Sequence, residues 1–204
     1  AGTGVSGKEA RVNHRTTEAA LHGEHDDVLR TAAAAARDAA GTDVAFAAVK
    51  NDVGTYDMSI RDELHEPGFA QMCIDEGRGL GGRVLSERRA RALDDYAREP
   101  SISSDWKAVA EAEGLRGIAC VPVAGPDGTA ALLYVANYER GTPGDRTIDV
   151  LQRISECAAV GLHHAATRAR ERELAILRER QRIAIRLHDS VAQSLFAIGV
   201  AAEQ

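Results

Sequence analysis

The stretch Gly117–Asn137 reads GIACVPVAGPDGTAALLYVAN and contains the two clearest strands of the chain. Apolar and β-branched residues fill Gly117–Val123 and Ala130–Ala136, and such short runs are typical of buried strands. Between them, Gly125-Pro126-Asp127-Gly128 combines the residue types that favour a tight turn. The stretch therefore predicts a β-hairpin.

Upstream of the hairpin, the pattern predicts a helix followed by two more strands. Apolar residues recur at helical spacing over Thr17–Ala40, and Gly41 is a helix stop signal. Asp43–Lys50 (DVAFAAVK) predicts a buried strand, and Thr55–Ile60 predicts a second one. Because only a short turn at residues 51–54 separates these two strands, we expect a sheet that is at least partly antiparallel.

Four short elements are expected between these strands and the hairpin. They are a helix at Pro67–Asp75, a helix at Gly82–Arg88, a brief strand at Ala90–Asp95, and a helix at Ser103–Glu113 capped by Ser103 or Ser104. The second helix follows the glycine-rich Gly77–Gly82 (GRGLGG), which lacks the GxGxxG spacing of dinucleotide-binding loops. We interpret these glycines as a tight turn into the helix, with an anion held there by Arg78 or Arg83 as the alternative.

A long helix is expected from Asp145 to beyond Arg182. Its first part carries an apolar face for docking, whereas Arg168–Arg182 is rich in charge. A mostly polar helix is poorly stable alone. We therefore expect this part to pair with a second copy of itself through Leu174 and Leu177, the alternative being a solvated terminal helix.

Composition excludes several classes of protein. The 204 residues include 25 basic and 31 acidic side chains, a net charge of −6 that argues against direct nucleic-acid binding. The three widely spaced cysteines, Cys73, Cys120 and Cys157, argue against a disulfide framework or a zinc site, and their apolar surroundings predict buried thiols. This use of cysteine is typical of a reducing compartment, so we expect a cytoplasmic location, and no apolar run reaches the length of a membrane span. The composition of residues 1–16 predicts a disordered lead-in.

The order of elements from residue 17 to residue 164 resembles a GAF domain. The resemblance is greatest in Gly79–Tyr96 (GLGGRVLSERRARALDDY) and Gly117–Asn137. It implies an α/β fold of the α+β type, in which helices flank an antiparallel sheet that carries a small-molecule pocket on one face. We assign residues 17–164 to this sensor domain.

Large side chains identify candidate walls for such a pocket, which we expect to be mostly apolar and to lie between the sheet and Gly68–Trp106. The candidates are Tyr56, Met58, Phe69, Met72, Trp106, Cys120 and Tyr134. Most such side chains belong to a hydrophobic core, and Trp106 is a candidate lid. Neither His65 nor His163-His164 lies on a face that clearly points into the sheet, so we expect no haem and no metal.

A second resemblance lies in Glu179–Ile198, ERQRIAIRLHDSVAQSLFAI. This string is similar to the dimerisation and phosphoacceptor helix of sensor histidine kinases that partner helix-turn-helix response regulators. The matching residues include Leu187, His188, Asp189 and Gln193, and the family usually has an acidic residue where Arg186 stands. We accordingly divide the remaining chain into a signalling helix at 165–182, in a coiled coil, and the start of the phosphoacceptor domain at 183–204.

Helical spacing supports a chemical role for His188. An apolar stripe is formed by Ile183, Leu187, Val191, Leu195 and Ile198. His188 lies at the edge of this stripe, where a neutral imidazole can reach solvent and act as a nucleophile. Asp189 can hold the imidazole tautomer or accept a proton, and Gln193 can orient a water molecule. The resemblance implies that this glutamine assists dephosphorylation of the regulator.

Taken together, the patterns predict the sensor part of a two-component histidine kinase. A small molecule or redox signal would control ATP-dependent autophosphorylation of His188 and transfer to a response regulator, within a homodimer formed by the C-terminal helix. The chain contains no GxxxxGK[ST] pattern, and we expect ATP and Mg²⁺ to bind a domain that it lacks, leaving it inactive alone. The alternative is a non-enzymatic dimeric ligand-binding module of a regulator or scaffold.

Overall fold

The computed structural model describes the backbone of residues 23–202 and the side chains of residues 23–187. The contacts of the described residues divide them into two compact units, residues 23–164 and residues 165–202. The lead-in expected at residues 1–16 lies outside the described residues.

The first unit contains one six-stranded sheet in which every neighbouring pair is antiparallel. The strands are β1 (Val44–Lys50), β2 (Tyr56–Asp62), β3 (Cys73–Ile74), β4 (Arg91–Leu93), β5 (Ile118–Gly125) and β6 (Gly128–Ala136). Their order across the sheet is β3-β2-β1-β6-β5-β4. The sheet expected to be partly antiparallel is thus antiparallel throughout, and the α+β fold class is confirmed.

The hairpin of β5 and β6 forms as the sequence predicts. Its register runs from Ile118 opposite Ala136 to Gly125 opposite Gly128. Gly128 has a φ of +109° in the turn, a conformation that glycine adopts without steric cost. On its other side β6 pairs with β1, so it lies at the centre of the sheet, and Leu132 and Leu133 are fully buried.

Four α-helices and two short 3₁₀ helices complete the described part of the chain. The α-helices are α1 (residues 23–40), α2 (Gly79–Glu87), α3 (Ser104–Glu113) and α4 (Asp145–Ala202), and the 3₁₀ helices are Pro67–Gln71 and Tyr96–Arg98. Gly114 ends α3 in the left-handed conformation, and Ser103 is its N-cap residue, as one of the two predicted caps. The Ser103 side chain, however, makes no capping hydrogen bond.

The two faces of the sheet are covered differently. On one face, α1 and the first part of α4 pack through Leu29, Ala33, Leu151 and Leu162 against small strand residues such as Ala45. On the other face, α2, α3 and the 3₁₀ helices cover a cluster of larger side chains. Each fully buried leucine contributes roughly 1.5–3 kcal/mol to folding, so both layers stabilise the sheet.

The prediction of a short helix at Pro67–Asp75 is wrong for the second half of that segment. A 3₁₀ helix covers only Pro67–Gln71, and Cys73–Ile74 instead forms strand β3 beside β2. Ile74 is fully buried and pairs with Tyr56. A two-residue strand is too short to show the alternation of apolar and polar residues that identifies strands. Its formation depends on pairing with a neighbour distant in sequence.

Helix α2 begins at Gly79, three residues before the predicted start at Gly82. The expected tight turn is present, since Gly77 and Gly79 have φ angles of +81° and +67°. The remaining glycines, however, lie within the helix for a packing reason. A β-carbon on Gly81 would collide with the Tyr134 hydroxyl, and one on Gly82 would collide with the backbone oxygen of Asp75.

Candidate functional site

The structure brings the seven predicted pocket residues together on one face of the sheet. Six of them belong to a single buried cluster, and the seventh, Trp106, is partly buried and packs against it. Trp106 lies on α3. The alternation of β2 and the pairing of β5 with β6 place side chains from distant segments on this face.

The open cavity expected among these residues is absent. Phe46 stacks on Tyr134 with ring centroids 4.7 Å apart, and Phe69 lies 5.8 Å from Phe46. The space left among the side chains is about 10 Å³, about the least that holds one water molecule. The candidate pocket walls therefore form a filled aromatic core, because rings from β1, β6 and the Pro67–Gln71 helix meet at its centre.

Phe46 is the central ring of this core, and it is not among the predicted pocket residues. It is 1% exposed and contacts both neighbouring rings. Its position within DVAFAAVK marks it as buried, but the surrounding residues are apolar at every position. A strand without alternation does not indicate which of its residues points to which face.

Burial keeps the ionisable groups of the core neutral. Burial raises the pKa of the Cys120 thiol well above its usual range, and a hydrogen bond from Tyr134 lowers it by a smaller amount. Burial also raises the pKa of Tyr134 well above its ordinary value. A thiol that stays protonated is a poor nucleophile, so this site offers packing and not thiolate chemistry.

The segment that carries Phe69 is attached to α3 by one carboxylate. Glu113, whose side chain is 4% exposed, accepts hydrogen bonds from the backbone N–H groups of His65 and Glu66. It also accepts one from the Tyr138 hydroxyl at 3.3 Å. A single buried side chain thus holds the cover of the aromatic core in place.

An open cavity of about 340 Å³ lies beside the aromatic core. Its lining residues come from the segment before α2, the start of α2 and the segment that leads into α3: Cys73, Asp75, Gly77, Arg78, Gly79, Pro100, Ser101, Ile102, Ser103 and Trp106. Trp106 borders both this cavity and the filled core. Of the seven predicted pocket residues, Trp106 alone lines this cavity.

Beside this cavity, a polar network joins α2 to the segment before α3. The Arg83 guanidinium contacts the Glu99 carboxylate at 2.9 Å and also donates to the Ser101 hydroxyl. Ser101 in turn donates to Glu99 at 2.7 Å. The hydrogen bond from Ser101, and to a smaller extent that from Arg83, lowers the pKa of Glu99. The network connects the two segments, although Nε of Arg83 is buried without a hydrogen-bond partner.

The predicted phosphoacceptor residues fall outside the described side chains. His188, Asp189 and Gln193 lie in the helical backbone of α4, and nothing in the structure tests their side-chain roles. Just before them, Ile183 and Leu187 are 44% and 62% exposed. An exposed apolar stripe therefore leads into this segment.

The expectation of three buried thiols holds only for Cys120. Cys73 and Cys157 are exposed. Cys73 lies in the edge strand β3. Cys157 lies on an exposed face of α4, although its neighbour in sequence Ala158 is buried. Helical and strand periods place a residue on a face only when the surrounding pattern is clear.

Within the part of the chain that the structure describes, no helix combines the length and hydropathy needed to cross a membrane. The same residues contain no group of three or more histidine, cysteine or carboxylate side chains that could hold a metal ion.

Two family models match different parts of the chain. A model described as GAF domain matches residues 23–163, and a model described as histidine kinase matches residues 179–204. The second match includes His188, Asp189 and Gln193. The chain is also 31% identical over 127 residues to the HTH-type transcriptional activator RamA of Corynebacterium glutamicum, in an alignment that covers 62% of this chain and 45% of that protein. It thus spans less than half the length of this curated relative.

Solved GAF structures share the fold at low identity. The GAF domain/HD domain protein of Geobacter sulfurreducens has a TM-score of 0.61 at 16% identity, covering 72% of this chain and 98% of that chain. The PixJ GAF domain of Thermosynechococcus elongatus, in its blue-light absorbing form, also has a TM-score of 0.61, at 15% identity, covering 78% and 96%.

Proposed function

This chain belongs to the GAF domain family, and from that premise we propose that it is the sensor part of a two-component histidine kinase. Its GAF domain binds a small-molecule signal and thereby controls autophosphorylation of His188. The observation that carries the proposal is the joint presence of both family matches in one chain, with α4 (Asp145–Ala202) containing the end of the first and most of the second.

His188 is the residue to which the proposal assigns the phosphoryl group. Its neutral imidazole nitrogen attacks the γ-phosphorus of ATP, an N–P bond forms, and the P–O bond to ADP breaks. Asp189 takes up the imidazole proton or holds the tautomer. ATP and Mg²⁺ bind residues outside this chain, and the phosphoryl group then passes to an aspartate of a response regulator.

A homodimer through the C-terminal helix belongs to the same proposal. Every described residue from 170 to 187 is exposed, and these include Leu174 and Leu177, which are 50% and 52% exposed. A second copy would cover these leucines in a coiled coil. In such a dimer, a signal bound by the GAF domain would act on His188 through α4, because the two paired helices would move together.

Labelling with radioactive ATP tests the proposal. The chain is combined with the ATP-binding domain of the same kinase, and we expect a label that is labile to acid and stable to base, as a phosphoramidate is. His188→Gln should abolish it, whereas the matched control His164→Gln, an exposed residue outside the kinase match, should retain it. Asp189→Asn should slow labelling, and Gln193→Ala should spare labelling while impairing dephosphorylation of the regulator. Full labelling of the His188→Gln chain would overturn the assignment.

The second candidate is a non-enzymatic ligand-binding module of a regulator. The similarity to the transcriptional activator RamA favours this reading, since the match covers 127 residues of this chain. In that case His188 is an ordinary helix residue, and no ATP-binding domain labels it. The labelling experiment therefore separates the two candidates.

A further inference from the structure

We propose that the cavity beside Trp106 binds a small zwitterion with an apolar side group, of which the aromatic and branched α-amino acids are the chemical class. This inference rests on the proposed function, because it names the kind of signal that the GAF domain would bind. The aromatic core itself holds about 10 Å³ of free space and admits no such ligand. The neighbouring cavity of about 340 Å³ falls in the size range of small-molecule sites.

One side of the cavity is apolar. Pro100, Ile102 and Trp106 line it, and Ile102 is 4% exposed. The indole packs closely over Gly79, since a β-carbon added to that glycine would lie 3.1 Å from Cζ3 of Trp106. Only a glycine leaves this approach free, and its φ of +67° also favours glycine. A flat or branched apolar group fits against such a wall.

The mouth of the cavity carries one positive and one negative side chain. Nη1 of Arg78 lies 3.9 Å from Oδ2 of Asp75, and the two side chains are 75% and 51% exposed. So long and exposed a pair contributes little to stability. Neither side chain makes a hydrogen bond among the described residues, so both can turn to a ligand.

Two charged groups next to the cavity, Arg83 and Glu99, form an ion pair with each other. Arg83 and Glu99 neutralise each other through the network that includes Ser101. That network leaves Arg78 and Asp75 as the opposite charges available at the lining. A ligand with only a carboxylate would meet Asp75 as a repulsive neighbour, and one with only an ammonium would meet Arg78. A zwitterion satisfies both, with its carboxylate on the Arg78 guanidinium and its ammonium on the Asp75 carboxylate.

Three matched probes test this assignment on the whole 204-residue chain. They are L-phenylalanine, 3-phenylpropionate, which lacks the ammonium group, and phenethylamine, which lacks the carboxylate. Trp106 is the single tryptophan of the chain, so a change in its emission reports binding at this cavity. Isothermal titration calorimetry gives the affinities. We expect L-phenylalanine to bind and the other two probes to bind about tenfold more weakly or worse.

Variants assign each charge to its partner. Arg78→Gln should weaken the binding of L-phenylalanine about tenfold but should not weaken that of phenethylamine, which loses a repulsive neighbour. Asp75→Asn should likewise weaken L-phenylalanine about tenfold but should not weaken 3-phenylpropionate. The matched control Arg61→Gln, an exposed residue of β2 that does not line the cavity, should bind like the unaltered chain. Equal affinity for all three probes, or no response up to about 10 mM, would overturn the inference.

The readout separates this inference from the proposed function. If His188 is labelled but no probe binds, the kinase assignment stands and the ligand class is wrong. If L-phenylalanine binds in the expected pattern but His188 is never labelled, the ligand class stands and the kinase assignment falls.

Discussion

The aromatic face of the sheet and the exposed stretch of α4 use large apolar side chains in opposite ways. On the sheet, Phe46 is 1% exposed and Tyr134 is 3% exposed, because each contacts rings from other elements. On α4, Leu174 and Leu177 are about half exposed although they are of similar hydrophobicity. Side chains of the same chain bury the aromatic face, whereas no described residue buries Leu174 and Leu177.

This difference predicts where mutations act. Truncating a side chain in the filled core removes contacts and leaves a cavity, so it lowers the free energy of unfolding. Truncating an exposed leucine of α4 removes little within one chain, so its effect should appear only in association.

The largest expected effect is that of Phe46→Ala. It should lower the free energy of unfolding of the GAF domain by about 3–5 kcal/mol, because the ring contacts both Phe69 and Tyr134. Urea denaturation followed by circular dichroism measures this change. The matched variant Leu174→Ala should change the stability of the same domain by less than about 0.5 kcal/mol. Equal losses in the two variants would remove the distinction between the regions.

The next effect concerns association. Leu177→Glu should weaken the proposed dimer about tenfold or more, because it places a charge in an apolar interface. Sedimentation velocity over a range of concentrations measures the change, with denaturation of the GAF domain as the control for folding. The control substitution Glu173→Gln, at an exposed neighbouring position, should leave the dimer intact. A monomer at all concentrations in the unaltered chain, with α4 helical, would contradict the dimer.

The smallest effect is a change in the pH dependence of stability. Burial raises the pKa of Tyr134 well above its ordinary value of 10.0, so the folded chain keeps a proton that the unfolded chain releases. The unfolded state then binds fewer protons, and stability should fall as the pH rises above about 10, by up to about 1.4 kcal/mol per pH unit for this group. Below that pH both states are protonated and the group has no effect.

Tyr134→Phe tests this assignment. The variant should lose that part of the slope in denaturation series between about pH 9 and pH 11. Tyr138→Phe is the comparison, because Tyr138 is 42% exposed and its pKa is raised less. An unchanged slope in the Tyr134→Phe variant would show that the hydroxyl ionises as readily in the folded chain.

The sequence patterns identified residues of the core but did not show whether these residues enclose a cavity. The strands that carry Tyr56, Cys120 and Tyr134 follow from local patterns, and the structure places these residues on one face. Whether they enclose a cavity depended on Phe46 and Phe69, whose rings arrive from β1 and from a 3₁₀ helix. Packing density is a property of all the neighbours together, so no local pattern reports it.

The exposed thiols and the short strand show the same limit. Cys73 lies in β3, which exists only because Cys73 and Ile74 pair with β2. Without that pairing, the segment after Pro67 has the composition of a short helix. Backbone pairing between distant segments overrides local propensity in such cases.

The β5–β6 hairpin, the long C-terminal helix and the His188-Asp189 string can be recognised in the sequence, because turn chemistry, helical periodicity and residue order are local properties. That the aromatic face is filled, and that an open cavity lies beside it, follows only from the packing of the folded chain. That cavity is bordered by residues from 73–79 and from 100–106. These segments meet only when the sheet, α2 and α3 pack together, and the shape of the space between them depends on side chains from all three.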